Sequence, residues 1–402
     1  MLSPYRQTFN QKFTQARYNT LLADINAQFG FEVAFKICET PIFIPPTLQL
    51  RLQEAGETIW QQVNSEYYRR EMHRAIPPHL FVPHDTDMPD FAAIDFAISK
   101  DHNGELIPQL IELQGFPSLF CFQHFIAGMF RKHYELPHTL THFFPAELQQ
   151  NEELYIEKLR HAIVADATPE NTILLEITPE KQKTRIDFAC TERFLGVKPV
   201  CITAVRKEGK KLYYKQNGKK IWIERIYNRV IFDELSHRTD LSLHFNFTDE
   251  LEVQWAGHPN WFFKMSKFTL PFLDSRYVPQ THFLHEIATI PNDLENYVLK
   301  PLFSFAGAGV KFDVTRADID AIPDNQRSNY ILMRKVQYEP VIETLDQPAK
   351  AEVRLLFVRV NGKMELLTNL VRLSKGKMMG VDFNKGMTWV GGTIGFFERQ
   401  AV

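Results

Sequence analysis

"YVLKPLFSFAGAGVKFD" (residues 297–313) sets Lys300 at the end of a short apolar run and follows it with a loop holding Gly307 and Gly309. The alternation of a strand puts Lys300 on the face of Val298, with Tyr297 and Leu299 opposite. An ammonium beside glycines suits a polyphosphate. The lysine supplies a point charge, and glycines let backbone N–H groups approach oxygens closely. A solvated lysine before an ordinary turn shows the same pattern. The remainder of the chain has to decide between them.

With 402 residues, two or three domains are expected. A hydrophobic share of 44%, with 33 Phe, can fill a large core and argues against disorder. The net charge of −2 shows no basic excess, so neither nucleic acid nor an anionic membrane surface is an expected partner. Cys38, Cys121, Cys190 and Cys201 are scattered without metal or redox spacing, which points to free thiols in a reducing compartment. The first twenty residues lack the apolar core of a secretory signal, and no run approaches 18 apolar residues. The expectation is a soluble, cytoplasmic protein.

Pattern and punctuation outline the elements. Residues 6–30 and 46–75 read as helical, and 76–89 as a proline-rich loop. "FAAIDFAIS" (91–99) and "LIPQLIELQG" (106–115) read as strands joined by a turn. Helices are expected over 117–133 and 148–165. "TILLEIT" (172–178), a helix from Pro179 and "KPVCITAV" (198–205) make a strand–helix–strand unit of α/β type. Asn217-Gly218 and Asn361-Gly362 each lie between β-rich arms and predict hairpins. A helix is expected over 261–275, and strands over 297–301 and 330–336. Provisional boundaries fall near 135 and 260.

Several further residues are candidates for chemistry. In "AEVRLLF", Glu352 and Arg354 share one strand face while Val353, Leu355 and Phe357 share the other. They suit either an ion pair or a cleft, with Glu352 near metal or ribose and Arg354 on an anion. Arg372 lies on the partner arm. Glu112 and Gln114 are i and i+2, and Asp95 is on the preceding strand. Oxygen ligands from neighbouring strands suit Mg²⁺ when phosphates complete the shell; ordinary hairpin charges are the alternative. "YILMRKV" suits an adenine-lining strand or a plain core strand. His138 and His142 have helical spacing but no third ligand, and Asp85, Asp87 and Asp90 lack the spacing of a calcium loop. No serine-hydrolase or P-loop motif occurs.

Together these segments resemble the ATP-grasp superfamily: the lysine strand and glycine loop "VLKPLFSFAGAG", the hinge strand "YILMRKV", the hairpin "AEVRLLFVRVNGK" and the following "LVRLSKG". The acidic set Asp95…Glu112-x-Gln114 lies upstream of the rest. That order resembles the circularly permuted branch, which includes eukaryotic-type glutathione synthetase and glutathionylspermidine synthetase. "ELQGFPS" is similar to that branch's early segment. The resemblance is clearest over about 90–120 and 260–395.

The resemblance implies an α/β (α+β) protein with a circularly permuted ATP-grasp fold and a small Rossmann-like substrate domain. Residues 1–135 would carry N-terminal helices and the metal-binding carboxylates, 136–260 the substrate domain, and 261–402 the nucleotide-binding region. ATP and Mg²⁺ would be the cofactors. Lys300, with Lys267 or its rival Lys264, would contact phosphates beside Gly307 and Gly309. Met333, Lys335 and Val336 would line the adenine, with Glu352 also on the nucleotide. Asp95, Glu112 and Gln114 would hold the metal, and Arg354 and Arg372 would serve the phosphate or acyl-phosphate. The implied activity is an ATP-dependent ligase joining a small-molecule carboxylate to an amine or thiol, with a homodimer left open. A phosphotransferase and a non-catalytic nucleotide binder are the alternatives. Two positions depart from the pattern: Gln114 replaces an asparagine, and Ser304 replaces an acidic residue four places after Lys300.

Overall fold

The computed structural model describes residues 3–303 and 309–400. Gly307 and Ser304 lie outside the described residues. The architecture is mixed α/β, with several sheets. Its central sheet has five antiparallel strands in the order Gly391–Thr393, Lys363–Ser374, Lys350–Val360, Phe91–Lys100 and Leu106–Gln114. The early hairpin 91–114 is thus paired with a strand far later in the chain, through Arg354↔Asp95, 259 positions apart, and Leu356↔Ala93.

Apolar side chains cover both faces of this sheet. Ile94, Phe96, Val353, Leu355 and Phe357 face one core, which also holds Leu48, Leu52 and Ile59 of helix Pro46–Val63. Phe91, Ala93, Leu356 and Val358 face the other, shared with helix Phe120–Tyr134. Gly56 lets the first helix approach: a Cβ there would sit 2.8 Å from Leu355 Cδ1 and 3.1 Å from Phe357 Cζ. Fully burying each such Leu or Phe contributes about 1.5–3 kcal/mol over leaving it exposed.

A second, parallel sheet has the order Gln254–Ala256, Arg225–Asn228, Thr172–Glu176, Lys198–Cys201. Helix Arg185–Leu195 links its last two members, as the strand–helix–strand reading requires. A three-stranded antiparallel sheet pairs Tyr297–Pro301 and Thr281–Phe283 with Tyr330–Arg334 between them. Both Asn-Gly hairpins form, and all four residues have positive φ: 50° and 77° at 217–218, 49° and 76° at 361–362. That is the type I′ requirement for which Asn-Gly is selected.

The helical expectations fare unevenly. Residues 6–30 divide into Ser3–Lys12 and Gln15–Phe29, because Thr14 caps a new helix by accepting from Arg17 N. Residues 46–75 divide likewise at Ser65, which caps Glu66–Glu71. The helix expected over 261–275 is instead one turn, Trp261–Lys264, and a 3₁₀ stretch, Lys267–Phe272. Ser266 accepts from Phe268 N and restarts the chain in a new direction, with Pro271 inside the second piece. Among the described residues no helix is long and apolar enough to cross a membrane.

Candidate functional site

A row of charges crosses one face of the central sheet. Register places Glu112 opposite Asp95, Asp95 opposite Arg354, and Glu352 opposite Arg372. The strands carrying them are held by the apolar cores, so the charges have fixed positions. Asp95 is fully buried and accepts from Arg354 Nε and Nη2, both at 2.6 Å, and from Arg372 Nη2 at 3.1 Å. Arg372 also pairs with Glu352, whose other oxygen accepts from Tyr338 Oη at 2.7 Å. Burial pushes the Asp95 carboxyl up, against the pull of Arg354. Nothing in the spacing of Tyr338 marked it as part of this network.

Four cations bear on Glu112 from other segments. Burial opposes its ionisation, but Arg354, Arg372, Lys300 and Lys267 together hold its carboxyl below the ordinary value. Its Oε1 lies 3.8 Å from Arg354 Nη2 and accepts from Gln114 Nε2 at 2.8 Å. The Lys300 ammonium, buried at the end of its strand, contacts Ile111 O at 3.0 Å and Met333 Sδ at 3.2 Å. Burial pushes it down to about 8, with Glu112 acting in the opposite sense. Lys267 is likewise lowered by burial and raised by Glu112 and Asp233.

The break in the expected 261–275 helix separates the two rival lysines. Lys267 falls among the site charges. Lys264 is clamped 2.6 Å from Asp85 and 3.2 Å from Thr86 O, away from the row. Gly115, just past Gln114, allows this approach: a Cβ there would collide with the Trp261 carbonyl. Met333 is buried opposite Val298. Lys335 and Val336 lie past the strand end, Lys335 N donating to Asn296 O at 2.8 Å and its ammonium 3.7 Å from Asp313. Gly309 has φ +71° and backs onto Pro301.

The fit to a divalent cation is partial. Glu112 and the amide oxygen of Gln114 are hard donors on adjacent same-face positions, enough for Mg²⁺ when phosphate oxygens complete the shell. Asp95 does not fit, since both its oxygens accept from guanidiniums. Among the described residues no group of three His, Cys, Asp or Glu is arranged to hold a metal ion.

A feature that sequence reasoning missed lies at the parallel sheet. The chain leaves Thr172–Glu176 for one side and returns to Arg225–Asn228 on the other, so the winding reverses between these strands. Crevices at the carboxyl ends beside such a reversal are the usual ligand sites of open α/β sheets. Here the strand ends carry Glu176 and Arg229, both buried. Burial pushes the Glu176 carboxyl up to about 8. Arg229 Nη1 donates to Pro117 O at 2.7 Å, and its guanidinium lies 4.7 Å from the Phe116 ring, which ties the crevice to the segment after Gln114. Among the described residues, Arg229 Nε, Asn228 Nδ2 and Arg372 Nε are buried without a hydrogen-bond partner. The order of strands, invisible in the sequence, is the signal that finds this crevice.

No family model and no curated protein matches the chain. Among solved structures, a glutathione synthetase-like effector from Globodera pallida, in its apo form, superposes with a TM-score of 0.54 at 10% sequence identity, covering 89% of this chain and 94% of that one. The two chains share a fold. The likeness spans nearly the whole chain, well beyond the segments that carry the motifs.

Proposed function

We propose that this chain is an ATP-dependent ligase of the circularly permuted ATP-grasp kind, joining a carboxylate to an amine. The observation that carries the reading is the convergence of Lys300 and Lys267 on Glu112, within one charge network that also holds Arg354 and Arg372. Four separated segments supply these groups. Two of the cations are kept in a desolvated setting, where they act strongly on a polyphosphate.

In this reading Lys300 and Lys267 neutralise the phosphates, and Met333 with the backbone at Lys335 and Val336 lines the adenine. The substrate carboxylate attacks the γ-phosphorus and ADP departs. The amine then attacks the acyl carbon, phosphate departs, and the amine loses its proton. Arg372 Nε is the donor left for the transferring phosphoryl or acyl-phosphate oxygens. Asp95 acts as a positioning residue, fixing Arg354 and Arg372. Arg229 at the reversal crevice would receive an anionic group of the carboxylate substrate. When bound at Glu112 and Gln114, Mg²⁺ would supply further neutralisation of phosphate charge. Such chemistry depends mainly on positioning and electrostatics and needs no side-chain nucleophile.

The test is ATP-induced stabilisation with and without Mg²⁺, followed by analysis of products. A ligand at a hundred times its Kd raises stability by about 2.7 kcal/mol. Lys300→Ala is expected to abolish that shift, and mass spectrometry to find ADP, phosphate and an amide. An unchanged ATP response in Lys300→Ala would refute the reading. A response indifferent to magnesium, without ADP release, would mark a nucleotide-binding protein instead, the alternative favoured by the arginine-capped Asp95.

A further inference from the structure

Beside the short helix Phe232–His237 lies a cavity of about 470 Å³, within the ordinary range for a small-molecule site. Its wall is dominated by five rings: Phe232, Phe247, Phe262, Phe263 and Phe303. Phe232 stacks on Phe263 at 5.4 Å and 25°, while Phe262 meets Phe263 edge-on at 5.0 Å and 87°. Phe262 and Phe303 are only half-buried, packed against the core on one side and bordering the cavity on the other. Their uncovered apolar surface is gathered at this one place.

The charge of the wall is one-sided. Among the described residues, Asp233 is its carboxylate, His79 is its other titratable group, and no lysine or arginine lines it. A phosphate or carboxylate entering here would lose water and face the Asp233 carboxylate, whereas an ammonium would meet that carboxylate and the negative faces of aromatic rings. Asp233 raises the proton affinity of Lys267, so its charge is felt at the lysine assigned to the phosphates. The same short helix, Phe232–His237, holds Glu234, which accepts from Gln182 Nε2 at 3.1 Å on the side of the reversal crevice. The helix therefore stands between the crevice with Arg229 and the aromatic cavity.

We infer that this cavity binds the acceptor amine, and that the amine is an ammonium carried on an aromatic or alkyl body, its nitrogen held by Asp233. The inference rests on the ligase reading for the word acceptor, but not for the binding itself. It fixes the two substrates on opposite sides of one helix, the anionic one toward Arg229 and the cationic one toward Asp233. The apolar body, in the Phe cavity, supplies selectivity over a small polar amine.

The test uses three probes of one shape: phenethylamine, 2-phenylethanol and 3-phenylpropionate, titrated calorimetrically into the full chain without nucleotide. Phenethylamine is expected to bind about tenfold or more tightly than the alcohol, and the carboxylate more weakly still. Asp233→Asn keeps the side-chain shape at a half-exposed position and is expected to remove the preference for amine over alcohol. A second variant, Phe262→Leu, is expected to weaken all three probes. Equal or tighter binding of the carboxylate, an amine preference that survives in Asp233→Asn, or no binding of any probe would each overturn the inference. ATP stabilisation is measured on the same samples. Amine selectivity lost with ATP binding intact removes this inference alone, whereas amine binding without any ATP response removes the ligase reading and leaves the cavity.

Discussion

Lys300 shows how burial can prepare a side chain for a ligand. Its ammonium is pushed down to about 8, against an ordinary 10.5, because the strand end offers it little water. The native state therefore disfavours the proton. The stability linked to this group is complete above pH 10.5 and is lost as pH falls through about 8. A bound polyphosphate reverses the preference. ATP affinity is thus expected to fall between pH 7 and pH 9.5, and Lys300→Arg to move that decline to higher pH, as read by calorimetry across the range. Arg354 makes the complementary case. Replacing it by Ala leaves Asp95 buried beside one remaining arginine, and a cost of about 3–5 kcal/mol is expected in urea unfolding. The sequence sets Lys300 at the end of an apolar run, and the structure buries it near the end of strand Tyr297–Pro301. The sequence could not announce that Asp95 accepts from two arginines, because those partners come from strands far along the chain. Nor could it separate Lys267 from Lys264, which stand three positions apart and differ through a local break.

At the scale of elements, turns and strands were more legible than helices. Asn-Gly between β-rich arms carries its own conformational reason, and both hairpins form where expected. The strand–helix–strand unit and the pairing of 91–100 with 106–114 also follow from alternation and length. The helical stretches failed where a single hydroxyl residue, Thr14, Ser65 or Ser266, began a new helix inside an unbroken pattern. Helix Phe120–Tyr134 adds a property that no pattern shows. Its His124 packs 6.2 Å from His142, beside Phe143, Tyr155 and Phe194. Burial, then Arg131, keeps His142 neutral well below its ordinary range; burial also lowers His124, with Glu152 opposing and Arg131 adding to it. Both ring nitrogens of His142 are buried without hydrogen-bond partners among the described residues. Because the folded form resists the proton, stability is full above about pH 6.5 and falls below it, by up to about 1.4 kcal/mol per pH unit for each such histidine. Urea midpoints between pH 7.5 and 5 are expected to show that slope, and His142→Leu to flatten it.

For the whole molecule, composition and alternation established an α/β protein with a large core. The detailed assembly came from elsewhere: the central sheet is completed by strands whose partners are hundreds of positions apart, and the parallel sheet gains its crevice from strand order. Refolding from denaturant is expected to be slow and multiphasic, since loops of this length must close before the sheet is rewarded. Stopped-flow fluorescence of the five tryptophans would check it, and a single fast phase would contradict it. The late arrival of Lys350–Val360 also bears on synthesis. As the ribosome works, the hairpin 91–114 leaves the exit tunnel with one long edge bare and waits for its neighbour. During that interval it is an adhesive surface in a crowded translating cell, so a nascent chain of this kind has reason to be shielded by a chaperone until its far strand is made.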